Sequence, residues 1–396
     1  MMQISPETQL FIREHSSDDV RALALQAKKY PDIDMPTAIT QIAGRKVAAE
    51  KIPSWWEIEK IWYPKHLSLE QCSSEITARY KARLLQGDSL TDLTGGFGID
   101  CSFLATGFKS ATYVERQEEL CEIAAHNFPV LNLNHINIKN EDGVTYLQAM
   151  SPVDCLFLDP ARRNEHGGKT VAISDCEPNV AELEELLLQK ANRVMIKLSP
   201  MLDLSLALKE LKQTQEVHIL SVNNECKELL ILLGQTSPTE ISIHCVNLST
   251  KGTQKEQHFV FTREQEQCSE CTYTDSLETY LYEPNASLLK AGAFRSIAAA
   301  YPVRKLHPNS HLYTSDTFIE NFPGRIFRIV NQCSFNKKEV KENLADLKKA
   351  NVTVRNFPAT VAELRKRIHL AEGGDTYLFA STLNNGQKVL IRCEKV

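Results

Sequence analysis

The stretch TDLTGGFGID, Thr91 to Asp100, decides the fold. SLTDL (89–93) reads as a short strand and CSFLATGF behind it as a helix, so Gly95, Gly96 and Gly98 fall in a strand-to-helix turn. Glycines there let the turn tighten and let a ligand approach the backbone, while the helix N-terminus points at that ligand. A dinucleotide fingerprint would read G-x-G-x-x-G, and these glycines are spaced differently. Asp92 and Asp100 flank them. Carboxylates repel a pyrophosphate and attract a cation, so the expected ligand carries an ammonium or sulfonium.

Outward from this turn the pattern alternates. Strand-like runs ATYVE (111–115), INIKN (136–140), VDCLFLD (153–159) and RVMIKLS (193–199) are separated by helical runs such as QEELCEIAAHNF and VAELEELLLQKA. That is the signature of a doubly wound parallel sheet. EVHILSV (216–222) and ELLILLG (228–234) are joined too tightly for a crossover helix and are expected as an antiparallel pair at one edge. Residues 1–85 read as helical: Ser16 to Asp19 precede VRALALQAKKY as an N-cap would, and Pro36 can open a second helix. Trp55, Trp56 and Trp62 cluster among lysines, a pattern that packs a lobe onto its neighbour more often than it stacks on bases. From residue 325 the chain reads β-α-β-α-β-β, after a more irregular stretch over 241–324.

In parallel α/β sheets ligands bind beyond the carboxyl ends of the strands, and acids stand there in sequence. Asp92 ends the first strand and Glu115 the second, where a carboxylate can accept both hydroxyls of a ribose. Asp142 follows the third and can accept an adenine amino group. Asp159 and Pro160 end the fourth, in DCLFLDPARR, followed by Arg162 and Arg163. These arginines can stack on a base, grip phosphates, or simply pair with Glu165 or Asp175. Lys197 lies near the end of the fifth strand, either to hold a phosphate or acidic substrate or as surface decoration.

Length and composition agree with two or three domains in 396 residues. No apolar run approaches the roughly 20 residues of a membrane span, and the N-terminus lacks a basic then apolar leader. Eleven irregularly spaced cysteines suit a reducing compartment, so a cytoplasmic location is expected. Only Cys268 and Cys271 have metal-like spacing, with His258 alone nearby, and no metal is expected. The net charge of −5 is uneven: residues 276–396 carry 18 lysines and arginines against 11 acids. A basic segment beside an acidic body is either a nucleic-acid contact or a solvated surface.

On these motifs the chain resembles class I S-adenosylmethionine-dependent methyltransferases over roughly residues 70 to 235. DLTGGFGID looks like their first motif, VER their second acidic position, NEDG their adenine-contacting loop and DPAR their catalytic fourth motif. The resemblance implies a Rossmann-like doubly wound methyltransferase sheet over 86–240, with a helical N-terminal lobe over 1–85. It also implies an S-adenosylmethionine site lined by Asp92, Thr94, Gly95, Gly96, Gly98, Asp100, Glu115 and Asp142. Asp159, Pro160 and Arg162 take the catalytic positions, and Arg162, Arg163 and Lys197 the substrate-binding ones. The whole chain is similar to bacterial methyltransferases with a THUMP-like C-terminal domain, here a ferredoxin/THUMP-like α+β unit over 325–396, which implies an RNA partner, ribosomal or transfer.

DPAR departs from the Asp/Asn-Pro-Pro-aromatic pattern of base N-methyltransferases, since Ala161 replaces the second proline and Arg162 the ring that stacks on a flipped base. MIKLSP shows Ser199-Pro200 where the uridine-C5 enzymes carry Cys-Pro, which disfavours carbon methylation. The expectation is therefore transfer to a base nitrogen of structured RNA. The alternatives are a non-catalytic RNA-binding or ribosome-assembly scaffold, a methyltransferase of a protein or small molecule, and last a nicotinamide dehydrogenase.

Overall fold

A computed structural model describes residues 4–162, 172–236, 238–251 and 256–396. The chain forms two compact units, residues 1–216 with 229–239, and residues 217–228 with 240–396.

The first unit opens with helices α1 (Pro6–Glu14), α2 (Val20–Leu25), α3 (Met35–Lys51), α4 (Pro53–Trp56), α5 (His66–Gln71) and α6 (Glu75–Ala82). Asp19 caps α2 by accepting from the N–H groups of Arg21 and Ala22, and Asp34 caps α3 just ahead of Pro36. The helix expected through VRALALQAKKY stops at Leu25 and tightens into a 3-10 turn over Ala27–Lys29. Pro31 ends that turn, because it disfavours helical backbone at Tyr30. Of the tryptophans, Trp55 is buried with its ring edge-on to Phe97 at 5.2 Å, and Trp62 stacks on His126 at 3.7 Å. These two pack the helices onto the segment that follows. Trp56 is exposed, with Arg45 over its face.

The sheet is built from β1 (Ser89–Asp92), α7 (Ile99–Ala105), β2 (Ser110–Glu115), α8 (Glu118–Val130), β3 (Ile136–Asn140), α9 (Gly143–Ala149) and β4 (Val153–Leu158). Two short strands follow, β5 (Ala161–Arg162) and β6 (Cys176–Glu177), which pair with each other, and then α10 (Val180–Lys190) and β7 (Ala191–Leu198). The parallel order is β3-β2-β1-β4-β7. Connections run one way from β1 and the other way from β4, so the topological switch point lies between their carboxyl ends. β4 and β7 are apolar and buried through Phe157, Leu158, Met195 and Ile196, as inner strands covered on both faces must be.

α11 (Leu204–Glu210) leads to the hairpin of β8 (Thr214–Val222) and β9 (Glu225–Gly234), which supplies residues to both units. Its turn is Asn223-Asn224 at φ 51° and 67°, the left-handed backbone that a two-residue hairpin requires. In the first unit the end of β9 runs antiparallel to β7. The hairpin is not an edge, contrary to expectation: β8 is followed outward by β10 (Ser242–Leu248) and β11 (Glu256–Thr262), an antiparallel pair. Val217 to Val222 are all buried, and such an apolar strand left at an edge would expose an unpaired ladder.

The second unit continues with α12 (Arg263–Cys268), β12 (Tyr280–Pro284), α13 (Ala286–Ala291), α14 (Ser296–Ala300), β13 (Arg304–Lys305) and β14 (Tyr313–Ser315). The stretch expected to be irregular thus contributes three strands to a second sheet. β15 (Gly324–Ser334), α15 (Lys337–Leu344), β16 (Lys349–Val354), α16 (Val361–Ile368), β17 (Ala371–Thr382) and β18 (Lys388–Lys395) reproduce the expected β-α-β-α-β-β order. The sheet runs β13-β14-β12-β15-β18-β17-β16, and Leu344, Leu364, Leu378 and Leu390 close its helix-covered face. No disulfide joins the cysteines. Among the described residues no helix is long and apolar enough to cross a membrane.

Candidate active site

The parallel register places the ends of β1, β2 and β4 side by side, with Asp92 opposite Tyr113 and Phe157. Beyond β1 the chain makes the glycine turn. A Cβ on Gly95 would lie 2.2 Å from the Tyr113 ring, so no larger residue fits, and Gly98, at φ 86°, is the left-handed N-cap of α7. The Tyr113 hydroxyl donates to the Gly96 carbonyl at 2.5 Å and fixes the turn from below.

Three acids meet this turn in different ways. Asp92 is fully buried; its Oδ1 accepts from the Thr94 N–H at 3.0 Å, and its Oδ2 has no hydrogen-bond partner among the described residues. Burial pushes its carboxyl well above the usual range, with the backbone hydrogen bond opposing. Glu115 is also buried, and its two oxygens accept from Gly96 N at 2.9 Å and Gln117 N at 2.8 Å. A carboxylate held by backbone donors on both oxygens is aimed before any ligand arrives. Asp159 follows β4 directly, its N–H donating to Thr94 Oγ1 at 2.6 Å, so the glycine turn and the DPAR segment are tied together.

Asp100 stands apart from the other acids. Its Oδ1 lies 2.9 Å from Lys81 Nζ, and its Oδ2 accepts from Ser73 Oγ at 2.7 Å and pairs with Lys197 Nζ at 3.2 Å. Burial opposes its charge, but the two lysines outweigh that and hold its carboxyl below the ordinary range. Its charge is thus compensated inside the protein, so Asp100 is not left to attract a cation at the glycine turn. Lys197 is no surface decoration: it is buried, and its Nζ lies 2.5 Å from Asp159 Oδ2.

The remaining expected positions are more dispersed. Asp142 is exposed and caps α9, its Oδ1 accepting from Val144 N and Thr145 N at 3.0 Å. Pro160 is buried, and the Arg162 backbone pairs with Cys176 in the β5–β6 ribbon. Arg163 and Glu165 lie outside the described residues. Ser73 and Lys81 escaped the sequence reading. The available signal was Lys81 lying three and four residues after Ala78 and Thr77, on the buried face of α6. Neither Cys268 nor Cys271 joins a group of three metal-type ligands among the described residues. The histidines that do come together are His218 and His244, stacked at 4.3 Å, and His258, whose Nε2 lies 3.1 Å from His244 Nδ1.

Comparison with known proteins places this geometry. Residues 280–323 match the model of a ferredoxin-like domain and residues 324–395 that of a THUMP domain-like family. Among solved structures, a candidate methyltransferase of Porphyromonas gingivalis W83 is 34% identical, with all of both chains covered and a TM-score of 0.87. A Streptococcus mutans protein described as a candidate methyltransferase in complex with SAH is 13% identical over 40% of this chain and 96% of its own, with a TM-score of 0.30. A Streptococcus thermophilus rRNA methylase is 14% identical over 40% of this chain and 93% of its own, with a TM-score of 0.29. No curated protein matches the chain. With that full-length likeness, and with the glycine turn and acids on a doubly wound sheet followed by a THUMP-like domain, the chain belongs to the class I methyltransferase-fold family with a THUMP-like C-terminal domain.

Proposed function

We propose that the protein transfers a methyl group from S-adenosylmethionine to a nitrogen of a base in structured RNA. The observation that carries the reading is the Oδ2 of Asp92, a buried carboxyl oxygen beside a glycine turn that has no hydrogen-bond partner among the described residues. A buried polar atom without a partner costs stability and calls for a ligand donor, and an ammonium supplies one. Asp92 and the turn at Gly95, Gly96 and Gly98 would hold the amino-acid end of the cofactor, with Thr94 setting the Asp92 carboxylate. Glu115 would take the ribose hydroxyls and Asp142 the adenine edge. The cofactor supplies an electrophilic methyl group.

The chain's own part is to bring a lone pair to that methyl and to take up hydrogen bonds from the reacting amine. Asp159 suits this, since its side chain is about 37% exposed at the strand ends and its backbone is anchored on Thr94. As the nitrogen gains its methyl group the methyl–sulfur bond would break, S-adenosylhomocysteine would leave, and the nitrogen would release a proton to solvent, with the Asp159 carboxylate placed to accept hydrogen bonds from that amine as charge develops. Arg162 and Arg163 follow in the chain and would meet a base or its flanking phosphates. RNA as the substrate is supported by the THUMP-like match over 324–395 and by the basic charge of that unit, where α16 ends in Arg365, Lys366 and Arg367.

The test is transfer of labelled methyl from S-adenosylmethionine to total RNA from cells lacking this gene, with Asp159→Ala protein as control. Label in ribosomal or transfer RNA with the wild type alone is the expected result. Cofactor binding with no RNA labelled sinks the substrate assignment, and equal labelling by Asp159→Ala sinks the catalytic one.

A further inference from the structure

The five buried or half-buried groups beyond the strand ends form one connected system in the first unit. Lys81 Nζ donates to Ser73 Oγ at 2.8 Å and pairs with Asp100; Ser73 Oγ donates to Asp100 Oδ2. Lys197 Nζ lies 3.0 Å from Ser73 Oγ, 3.2 Å from Asp100 Oδ2 and 2.5 Å from Asp159 Oδ2. An ammonium has three N–H donors, and these three oxygens match them. Ser73 is likewise satisfied, giving one hydrogen bond and accepting two. Lys197 is thus engaged by protein oxygens among the described residues rather than held out for a substrate phosphate.

We propose that Lys197 is the positioning residue of Asp159, holding its carboxylate anionic and oriented at the strand ends, and that Ser73, Asp100 and Lys81 hold Lys197 in turn. The inference rests on the reading of Asp159 as the group that meets the substrate amine. It makes α6 and the loop before it part of the catalytic machinery, a role that composition gave no reason to assign to the N-terminal helices.

Two physical points favour positioning over mere stability. A buried ion pair stabilises little compared with apolar groups of similar volume, so two buried lysines at the ligand edge are poorly explained as fold cement. Second, among the described residues the charged groups that face Asp159 are Lys197 from β7, Asp100 from α7 and Lys81 from α6, with Asp92 of β1 a further acid in the same cluster. Asp100 opposes ionisation of Asp159, Lys81 assists from farther away, and among the described residues Lys197 is the charged group paired with it. Burial raises the Asp159 carboxyl above the ordinary range while Lys197 pulls it down. Without Lys197 the acid would be protonated more readily, and a protonated acid cannot accept the amine hydrogens.

The experiment is a carbon-13 carboxyl NMR titration of Asp159, assigned by its loss in Asp159→Asn, on the full chain without cofactor or RNA. In Lys197→Met the ionisation constant of Asp159 is expected to weaken by about tenfold or more relative to wild type. Lys197→Arg should restore most of it. In the wild-type protein the Lys197 Nζ resonance should report the same midpoint as Asp159, which tests the pair should the Met variant fail to fold. An Asp159 midpoint unmoved in Lys197→Met, or a Lys197 signal blind to it in wild type, overturns the proposal. With active enzyme, the acid limb of the methyl-transfer pH profile moves up alongside the titration. Failure to methylate any RNA would sink the substrate reading while leaving the titration result intact.

Discussion

Two buried carboxylate clusters, one in each unit, solve the same electrostatic problem and end differently. In the second unit Glu283, 2% exposed on β12, faces Arg325 of β15 in direct register, with Oε2 accepting from Arg325 Nε at 2.8 Å. Its Oε1 accepts from Arg355 Nη2 at 3.1 Å. Both oxygens are engaged by guanidinium groups, and the cluster is a clamp across strands. In the first unit the charges of Asp100 and Lys81 are equally closed off, but Lys197 passes the chain of contacts on to Asp159 at the rim, and Asp92 keeps an oxygen without a hydrogen-bond partner among the described residues. The difference lies in where the contacts lead: in the second unit they close on Glu283, and in the first they run out to an acid at the strand ends.

The largest effect expected from this contrast is on Asp159. Replacing it with Ala should lower methyl transfer by about 10²- to 10⁴-fold, while calorimetry shows cofactor affinity within a few-fold of wild type. A parallel loss of cofactor binding would show that the rim acid belongs to the cofactor site instead. Glu283→Ala should do the reverse. It leaves two arginines facing each other without their anion and should cost about 3 kcal/mol in chemical denaturation, with cofactor affinity untouched. An unchanged denaturation midpoint would mean that the clamp is dispensable.

Asp92→Asn sharpens the comparison from the other side. Losing the charge-assisted bond to the ligand ammonium should weaken cofactor binding about 10- to 100-fold. The same variant should alter the pH dependence of the cofactor-free protein. Burial raises the Asp92 carboxyl in the folded state, so its neutral form is favoured there and its contribution to stability is lost as pH rises through that raised value. Asp100 has the opposite sign, since its folded-state carboxyl is depressed and its contribution is lost on acidification. Asp92→Asn should therefore flatten the decline of melting temperature toward neutral pH; an unaltered profile would show that Asp92 is already charged without ligand.

The smallest effect belongs to the second unit. His311 stacks on Phe294 at 3.6 Å, and burial, aided by Lys305 and Arg355, pushes its imidazole down to about 4. The unfolded chain binds a proton near the ordinary imidazole value of 6.5 and the folded one only near 4, so stability should fall as pH drops through that window. His311→Asn, which tolerates the φ of 53° at this position, should remove the dependence. Melting curves between pH 7 and 4 that coincide in slope for the two proteins would refute it.

Much of the first unit was legible in its residues because each signal is local. Strand runs at 89–93, 111–115, 136–140, 153–159, 193–199, 216–222 and 228–234 correspond to β1, β2, β3, β4, β7, β8 and β9, since apolar runs of that length bounded by turn residues have few other uses. The glycine spacing and the acids that end successive strands were likewise visible, because a parallel sheet brings all strand ends to one edge. The tail read correctly as β-α-β-α-β-β, helped by cap residues such as Thr360 and Glu363, which form a capping box on α16.

What escaped depended on neighbours distant in sequence. The hairpin β8–β9 was expected at an edge because nothing in its own residues announces β10 and β11. Lys197 could be read as a phosphate contact or as surface because a lysine's role is set by what surrounds its ammonium, and Ser73 and Asp100 lie 124 and 97 residues away from it. The sequence by itself determined the order of elements, the glycine turn and which acids stand at the strand ends, since these follow from local periodicity and from the one-sided geometry of parallel strands. Only the tertiary structure decided which of those acids are compensated and which stay available, because that division rests on burial and on charges brought within about 3 Å from separate helices and strands.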